Sequence, residues 1–383
     1  MKQETRVVRA GRDKGYYKGS VNPPVYHVST VLYDSLASYL SVSKPEQGRM
    51  IYGRWGTPTS FTLTDALAEL EGGEGCALFP SGAAAIAASL LAFVVPGDHL
   101  LIPDNVYGAT RRICDDLLPR LQIETTYYDP VIGAEIASLI RPKTKIVYVE
   151  APGSLTMEMQ DVPAIARAAK AAGATTIMDN TWATPLFFKP FDHGVDVSIT
   201  AGTKYVVGHS DAMVGSVTAT AETWPAIHKA NYLLGQCIGP DDAYLAQRGL
   251  RTLAVRLAQH QESALKIASW LEQQPEVERV LYPALPSDPG YALWKRDFTG
   301  ASGLLAIVFR PVDMKKVGAM VDGLKLFGIG ASWGGYESLV CPARAIRTAT
   351  KLDPTHPILR FHVGLEAVDD LIADLRAGLD RMH

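Results

Sequence analysis

The chain has 383 residues, of which 47% are hydrophobic and 20% are charged, and its formal net charge at pH 7 is −3. This length is enough for two or three domains with a large core. The near-neutral charge balance lacks the basic excess that drives binding to phosphate backbones, so nucleic acid is not an expected partner.

The apolar segments and the cysteines indicate in which compartment of the cell the protein is expected. The N-terminal residues contain no apolar signal core, and the longest apolar stretch, residues 83–95, is shorter than the ~18 to 20 residues that span a bilayer. We therefore expect a soluble protein that does not bind membranes. The four cysteines are scattered without a CxxC pair, which is typical of reduced thiols in the cytoplasm rather than of a disulfide framework or a zinc site.

The first 55 residues or so are rich in turn formers and show little helical periodicity. Such a long irregular segment is uncommon in a compact domain and usually has a function or a partner to lie on. It ends in the string Tyr52-Gly-Arg54-Trp-Gly-Thr-Pro-Thr59. The guanidinium of Arg54 offers paired donors that suit a phosphate, although an arginine on an exposed turn is the alternative interpretation.

A candidate anion site follows. Apolar spacing predicts a helix over residues 60–71, a strand over 76–79, and a second, buried helix over 83–95 that begins after Pro80-Ser81-Gly82. A small-residue turn between a strand and a helix leaves backbone N–H groups free at the positive end of the helix. We assign a phosphate to the amides of Gly82 and Ala83, although this signal is weak when taken alone.

Strands and helices then alternate. Strands are predicted at 100–103, 123–128, 145–150, 175–178 and 195–200, with helices near 108–121, 133–140 and 162–172. This alternation favours an α/β fold with a parallel sheet that binds ligands at the carboxyl ends of its strands. Tyr107 lies in the loop after one such strand, where it either stacks on a planar ligand or packs on the turn.

Two ionisable side chains lie just past strand ends. Asp179 can pair with a pyridine nitrogen and keep it protonated, or it can simply cap a turn. Lys204 lies among mostly uncharged residues, where desolvation lowers the pKa of an amine and a neutral amine can form a Schiff base with an aldehyde. The alternative is a lysine that extends from the strand end to solvent.

A smaller α/β domain is predicted after a boundary at residues 249–251. It is expected to contain helices near 253–274, 314–324 and 367–382 and strands at 279–282 and 304–309. Ser332-Trp333-Gly-Gly forms a turn with polar and aromatic neighbours. Arg360 occupies a short β run that normally takes apolar side chains, so we interpret it as a clamp for a substrate carboxylate.

Together these motifs resemble the Cys/Met-metabolism family of pyridoxal-phosphate (PLP) enzymes, of fold type I, over nearly the whole chain. The resemblance implies a mostly parallel central sheet with a smaller C-terminal α/β domain. It also implies an N-terminal extension (1–55) that contacts the neighbouring subunit, a PLP-binding domain (56–250) and a C-terminal domain (251–383). A homotetramer built as a dimer of dimers is expected.

The resemblance assigns a role to each motif. Lys204 is expected to hold PLP covalently and to act as the base, with Tyr107 and Asp179 also catalytic. The expected cofactor-binding residues are Lys204, Gly82, Ala83, Tyr107, Asp179 and Thr203, together with Tyr52 and Arg54 from the neighbouring subunit. The expected substrate-binding residues are Arg360, Ser332, Trp333 and Tyr52.

Within the family, the motifs are most similar to those of bacterial cystathionine β-lyases, because Trp333 stands where γ-lyases and γ-synthases usually have leucine, and Ala109 stands where methionine γ-lyases tend to have cysteine. The resemblance therefore implies cleavage of L-cystathionine to homocysteine, pyruvate and ammonia. A γ-lyase, a γ-synthase, or a β-lyase acting on cysteine or cysteine S-conjugates remains an alternative. An inactive PLP-binding regulator and an aldolase without PLP are rivals from other classes.

Two positions depart from the wider family. Pro152-Gly153-Ser154-Leu155 replaces the usual Ser/Thr-Asn-Pro, so an asparagine contact is absent and the role of Ser154 is open. Ala201-Gly202 replaces a serine, which leaves Thr203 as the expected phosphate hydroxyl.

Overall fold

Two β-sheets organise the fold in the computed structural model, which describes residues 1–12, 15–17, 19–42 and 48–383. The large sheet contains β1 (Gly75–Phe79), β2 (His99–Pro103), β3 (Glu124–Tyr128), β4 (Thr144–Glu150), β5 (Thr175–Asp179), β6 (Val197–Thr200) and β7 (Gly215–Ala219). Its strand order is β1-β7-β6-β5-β4-β2-β3. Strands β2 to β6 are parallel, and β7 is antiparallel to β1 and β6. The predicted α/β fold with a mostly parallel central sheet is therefore confirmed.

The second sheet lies in the C-terminal part of the chain. It contains β8 (Val277–Leu281), β9 (Leu304–Phe309), β10 (Gly328–Ile329), β11 (Leu339–Pro342) and β12 (Ile358–His362), in the order β10-β11-β12-β9-β8. Strand β12, which carries Arg360, is antiparallel to both of its neighbours. The sheet thus places Arg360 on a central strand.

The helices are α1 (Gln3–Arg9), α2 (Leu36–Leu40), α3 (Pro58–Glu71), α4 (Gly82–Leu91), α5 (Gly108–Arg112), α6 (Val162–Ala171), α7 (Thr184–Phe187), α8 (Trp224–Leu233), α9 (Pro240–Leu250), α10 (Leu253–Leu271), α11 (Tyr291–Asp297), α12 (Met314–Asp322) and α13 (Val368–Asp380). A π-helical turn spans Ile113–Leu117, and 3-10 turns span Gly53–Trp55, Leu118–Leu121, Gly133–Leu139 and Pro190–His193. Within the described part of the chain, no helix is long and apolar enough to cross a membrane.

Helices cover both faces of the large sheet. Side chains alternate between the two faces along each strand, so each strand contributes to an apolar core on both sides. On β4, Ile146 and Tyr148 enter one apolar core, whereas Val147 and Val149 enter another that is shared with α6 and the C-terminal part. Strands buried on both faces are typical of parallel sheets, and β2 and β4 accordingly carry the buried apolar runs 100–102 and 146–149.

Several predicted boundaries were wrong. The helix predicted over 83–95 ends at Leu91, four residues before Val95, the position whose helical backbone Pro96 disfavours. The first 55 residues contain the short helices α1 and α2. Strand β7 and helices α8 and α9 were not predicted. The junction of α9 and α10 at residues 251–252 lies beside the predicted domain boundary, and the domain division stays a prediction.

Candidate active site

A cavity of about 230 Å³ opens at the carboxyl ends of the parallel strands. Its wall combines residues at or after the ends of β2, β4, β5 and β6 with the N-terminus of α4 and with Leu304 and Trp333 from the C-terminal part. The lining includes Ser81, Gly82, Ala83, Tyr107, Glu150, Ser154, Asp179, Thr203, Lys204 and Trp333. Most of the predicted site residues therefore meet in one place.

Lys204 lies in the turn after β6, where its N–H donates to Ala201 O at 3.0 Å. Its Nζ donates to Ser332 Oγ at 2.7 Å and lies 5.3 Å from the centre of the Trp333 ring. Burial, and then the charge of Arg360, lower the pKa of Lys204 to about 8, although Asp179 acts in the opposite direction. Roughly a tenth of the amine is consequently neutral at pH 7. Ser332 fixes the direction in which this nucleophile points.

Asp179 and Glu150 are buried side by side at the ends of β5 and β4, because their Cα atoms are direct partners in the parallel ladder. Asp179 Oδ1 accepts from Thr181 N at 3.0 Å. Burial raises the pKa of Asp179, and the Thr181 hydrogen bonds and Lys204 oppose the rise. Burial, and then the charge of Asp179, raise the pKa of Glu150 well above its usual value. We infer that Asp179 carries the negative charge while Glu150 stays neutral.

Glu150 was missed by the sequence interpretation, which noted only that it ends a strand. Its Oε2 accepts from Tyr107 N at 2.9 Å, so it holds the loop that presents Tyr107 to the cavity. Burial, and then Asp179, raise the pKa of Tyr107. Since Glu150 ends its strand as Asp179 does, its position past a buried strand was a signal that could have revealed it.

The N-terminus of α4 forms the anion-binding end of the cavity. Ser81 is the N-cap, and its Oγ accepts from Ala84 N at 3.1 Å, while Gly82 and Ala83 belong to the first turn, whose N–H groups have no partner within a helix. A Cβ atom on Gly82 would lie 2.8 Å from the Cβ of Ala201. The glycine therefore permits the close approach of α4 to the turn that carries Lys204.

The hydroxyl of Thr203, predicted to bind phosphate, pairs with the backbone of Val214 in this structure. It accepts from Val214 N at 2.9 Å and donates to Val214 O at 3.1 Å. Thr203 still lines the cavity. Its role at a phosphate stays a prediction.

Three predicted substrate-binding residues come from the C-terminal part. Arg360 is 5% exposed and its Nη2 donates to Ala331 O at 2.6 Å, which places the guanidinium beside the turn that contains Ser332 and Trp333. Gly334 follows with a φ of +85°, and a Cβ atom on it would lie 2.9 Å from the Cα atom of Lys204. Only glycine allows this turn to pack directly against the lysine.

Tyr52 and Arg54 lie outside the cavity lining. Tyr52 is 41% exposed, and the guanidinium of Arg54 lies 5.9, 5.7 and 5.6 Å from the ring centres of Tyr52, Trp55 and Tyr232, respectively. This chain does not bring the two residues to its own Lys204. The prediction that they serve a neighbouring subunit stays open.

The cavity fits PLP. It offers an amine with a lowered pKa, a buried carboxylate that can face a pyridine nitrogen, a helix N-terminus for a phosphate and a tyrosine beside them. Within the described ranges, no group of three or more His, Cys, Asp or Glu side chains could hold a metal ion.

Comparisons with known proteins agree with this geometry. The family described as Cys/Met metabolism PLP-dependent enzyme matches residues 4–380. A cystathionine beta-lyase from Salmonella typhimurium is 47% identical, with 99% of this chain and 98% of that protein covered. An L-alanine/L-glutamate racemase from Wolbachia pipientis is 42% identical, with 100% and 98% covered.

Among solved structures, a cystathionine gamma synthase from Xanthomonas oryzae in complex with aminoacrylate and cysteine has a TM-score of 0.91 and 34% identity, with 100% of this chain and 98% of that chain covered. The predicted family and the predicted PLP cofactor are thereby confirmed. The chain belongs to the PLP-dependent enzymes of Cys/Met metabolism.

Proposed function

We propose that the protein is a PLP-dependent carbon–sulfur β-lyase that cleaves L-cystathionine to homocysteine, pyruvate and ammonia. The observation that carries the proposal is the Lys204 amine, with its lowered pKa, held by Ser332 in the cavity that also contains Asp179 and Tyr107. The similarity to the Salmonella enzyme supports cystathionine as the substrate.

Each side chain has a task in this reaction. When bound, PLP supplies an electron sink for the pair left at the substrate Cα. Asp179 keeps the ring nitrogen protonated, and the first-turn amides of Gly82 and Ala83 hold the phosphate. Arg360 binds the substrate carboxylate as a planar pair of donors.

Lys204 moves the protons. As a neutral amine it removes the proton from Cα, and Ser332 keeps Nζ directed at that position. The Cβ–S bond then breaks with its electron pair on sulfur, and Lys204 returns a proton to the sulfur to release homocysteine. Water hydrolyses the remaining three-carbon fragment to pyruvate and ammonia, so the atoms balance.

Cleavage at Cβ rather than Cγ is the specificity we propose. γ-Elimination needs a second proton removal, from Cβ, and space for the base to reach it. Trp333 lines the cavity next to Lys204, and Ala109 supplies no thiol on α5. A difference of one methylene is worth about 1 to 3 kcal/mol in such a pocket, so some γ-cleavage is expected to accompany β-cleavage.

A racemase is the second candidate, favoured by the 42% identity to the Wolbachia protein. Racemisation shares the removal of the Cα proton and differs only in its return to the opposite face. Both activities would begin with Lys204 and Asp179, and racemisation would in addition need a proton donor on the face of Cα opposite Lys204.

We also propose that two subunits complete each active site, in a homotetramer built as a dimer of dimers. Arg54 and Tyr52 lie outside the lining of this chain's cavity, and the neighbouring N-terminal segment exposes large apolar side chains, with Leu32 91% and Leu36 72% exposed. Such side chains suit a surface covered by a second copy. The free cysteines support a cytoplasmic location.

The deciding assay gives the PLP-loaded enzyme L-cystathionine and identifies the keto acid. We expect pyruvate in excess over 2-oxobutyrate, and no keto acid from the Lys204→Ala variant. Predominant 2-oxobutyrate would establish γ-cleavage instead. Slow release of keto acid together with rapid conversion of L-alanine to D-alanine, as measured by chiral chromatography, would favour the racemase.

A further inference from the structure

The carboxylate of Asp104 joins two parts of the chain that are far apart in sequence. Asp104 follows β2 directly, and its side chain is fully buried. Its Oδ1 accepts from Arg111 Nη2 at 2.6 Å and from Thr348 N and Oγ1 at 2.9 and 3.1 Å. Its Oδ2 accepts from Ala349 N at 3.0 Å and from Thr350 N and Oγ1 at 2.7 and 2.8 Å. These donors fill the acceptor capacity of a carboxylate.

Three of these donor residues belong to one connecting segment of the C-terminal part. We call residues 343–357, which join β11 to β12, the strap. A second attachment is made by Arg347, whose buried side chain donates to Glu158 Oε1 at 2.6 Å and to Thr156 Oγ1. The strap is thus held by side chains that follow β2 and β4, while its outer surface, including Ile346, faces solvent.

Both ends of this connection lead to the candidate active site. On one side, Asp104 and Tyr107 belong to one braced loop, because Arg111 N donates to Tyr107 O at 3.1 Å and the Arg111 guanidinium donates to Asp104 O at 3.2 Å. On the other side, the strap continues into β12 and reaches Arg360. Asp104 therefore links the tyrosine that faces the cofactor position with the strand that carries the carboxylate clamp.

We propose that Asp104 is a positioning residue, a latch that holds the strap and thereby fixes the separation between Tyr107 and Arg360. The proposed β-lyase activity underlies only the kinetic part of this inference. The latch itself is the contact between Asp104 and residues 348–350.

The latch is built from charge-assisted hydrogen bonds. Burial alone would raise the pKa of Asp104, but the N–H of Thr348, the hydroxyl and N–H of Thr350, and Arg111 together lower it to about 2. The carboxylate is thus ionised at every pH at which the enzyme would work. Asparagine has the same shape, but its NH₂ group would face backbone N–H donors, so Asp104→Asn removes the charge and opposes the donors.

Native-state trypsin digestion of the PLP-loaded enzyme tests the latch. Arg344, Arg347 and Lys351 are cleavage sites inside the strap, and their cleavage reports the fraction of molecules in which the strap is open. We expect Asp104→Asn to accelerate cleavage at these sites about 10- to 100-fold, the effect of losing hydrogen bonds to a charged group. Thr350→Val, which removes the hydroxyl that donates to Asp104 Oδ2 and accepts from Arg347 Nη1 at 3.4 Å, should accelerate it roughly 3- to 10-fold.

Asp98→Asn is the matched control. Asp98 is also buried, but it precedes β2, at the opposite end of that strand from Asp104, and its Oδ2 accepts from Val95 N at 2.8 Å. The Asp98→Asn variant should have a lower melting temperature than the wild type without faster cleavage in the strap. If trypsin cleaves the strap of the Asp104→Asn and Thr350→Val variants no faster than the strap of the Asp98→Asn variant, there is no latch. Thr350→Val alone decides the question if Asp104→Asn does not yield a folded enzyme.

Steady-state kinetics separate positioning from a purely structural role. A loosened Arg360 weakens substrate binding, so KM for L-cystathionine should rise about 10-fold in Asp104→Asn while kcat changes less than about threefold. Faster strap cleavage with an unchanged KM would overturn the positioning role. If the wild-type enzyme does not cleave cystathionine at all, the proposed function fails, and the trypsin comparison still decides whether the latch exists.

Discussion

Replacing Glu150 by glutamine and by alanine tests the inferred division of charge between the two buried carboxyls. A neutral Glu150 resembles glutamine in shape and charge, and the glutamine carbonyl can still accept from Tyr107 N, which Glu150 Oε2 does at 2.9 Å. Alanine leaves that donor without a partner, which costs about 1 to 3 kcal/mol. We expect Glu150→Gln to keep activity within about threefold, and Glu150→Ala to lose roughly 10- to 100-fold.

The pH dependence of stability gives an independent check of the same inference. The pKa of Glu150 is raised in the folded protein by burial and by Asp179, so above the unfolded pKa of about 4.3 the folded state binds more protons than the unfolded state. Stability must then fall as pH rises, by up to about 1.4 kcal/mol per pH unit until the folded pKa is reached. Glutamine removes this dependence.

Chemical denaturation of the cofactor-free wild-type and Glu150→Gln proteins between pH 5 and pH 8 measures this pH dependence of stability. The stability of the glutamine variant relative to wild type should increase with pH across this range. A constant difference, or a Glu150→Gln variant as inactive as Glu150→Ala, would refute the neutral state of Glu150.

Three further predictions concern the surroundings of Lys204. Ser332→Ala removes the acceptor 2.7 Å from Lys204 Nζ, so kcat should fall about 10-fold or more with the fold intact, as measured by circular dichroism and steady-state kinetics. Gly334→Ala puts a side chain at a φ of +85° and 2.9 Å from the Cα atom of Lys204, and it should cost about 1 to 3 kcal/mol of stability in a denaturation experiment; unchanged stability would contradict the close packing. Mixing Arg54→Ala chains with Lys204→Ala chains should restore part of the activity in mixed dimers, because one site regains both groups, and confirmed subunit exchange without recovery would argue against a shared site.

The strand-end residues were predictable because their signal is local. Asp179 ends one short buried strand and Lys204 follows another, and a parallel sheet brings such ends together. Gly334 shows the limit of this approach, since its need for glycine arises from contact with a lysine far away in the sequence.

The features that escaped prediction depend on tertiary pairing. Glu150 and Asp179 are adjacent only because β4 pairs with β5 in this register. The attachment of residues 348–350 to Asp104 likewise joins two segments that no local pattern connects. Strand β7 begins with glycine and serine, which carry a weak strand preference, so its antiparallel place in the sheet is set by its neighbours.

The central claim is that Lys204 is the amine that carries PLP, and borohydride reduction of the loaded enzyme tests it most directly. Reduction fixes the cofactor to its lysine, and peptide mass mapping then locates the added mass. The cavity geometry and the lowered pKa of Lys204 predict a single modified peptide that contains Lys204, with no adduct in the Lys204→Ala variant. An adduct on any other lysine, or none in the wild-type protein, would contradict the assignment of the whole site.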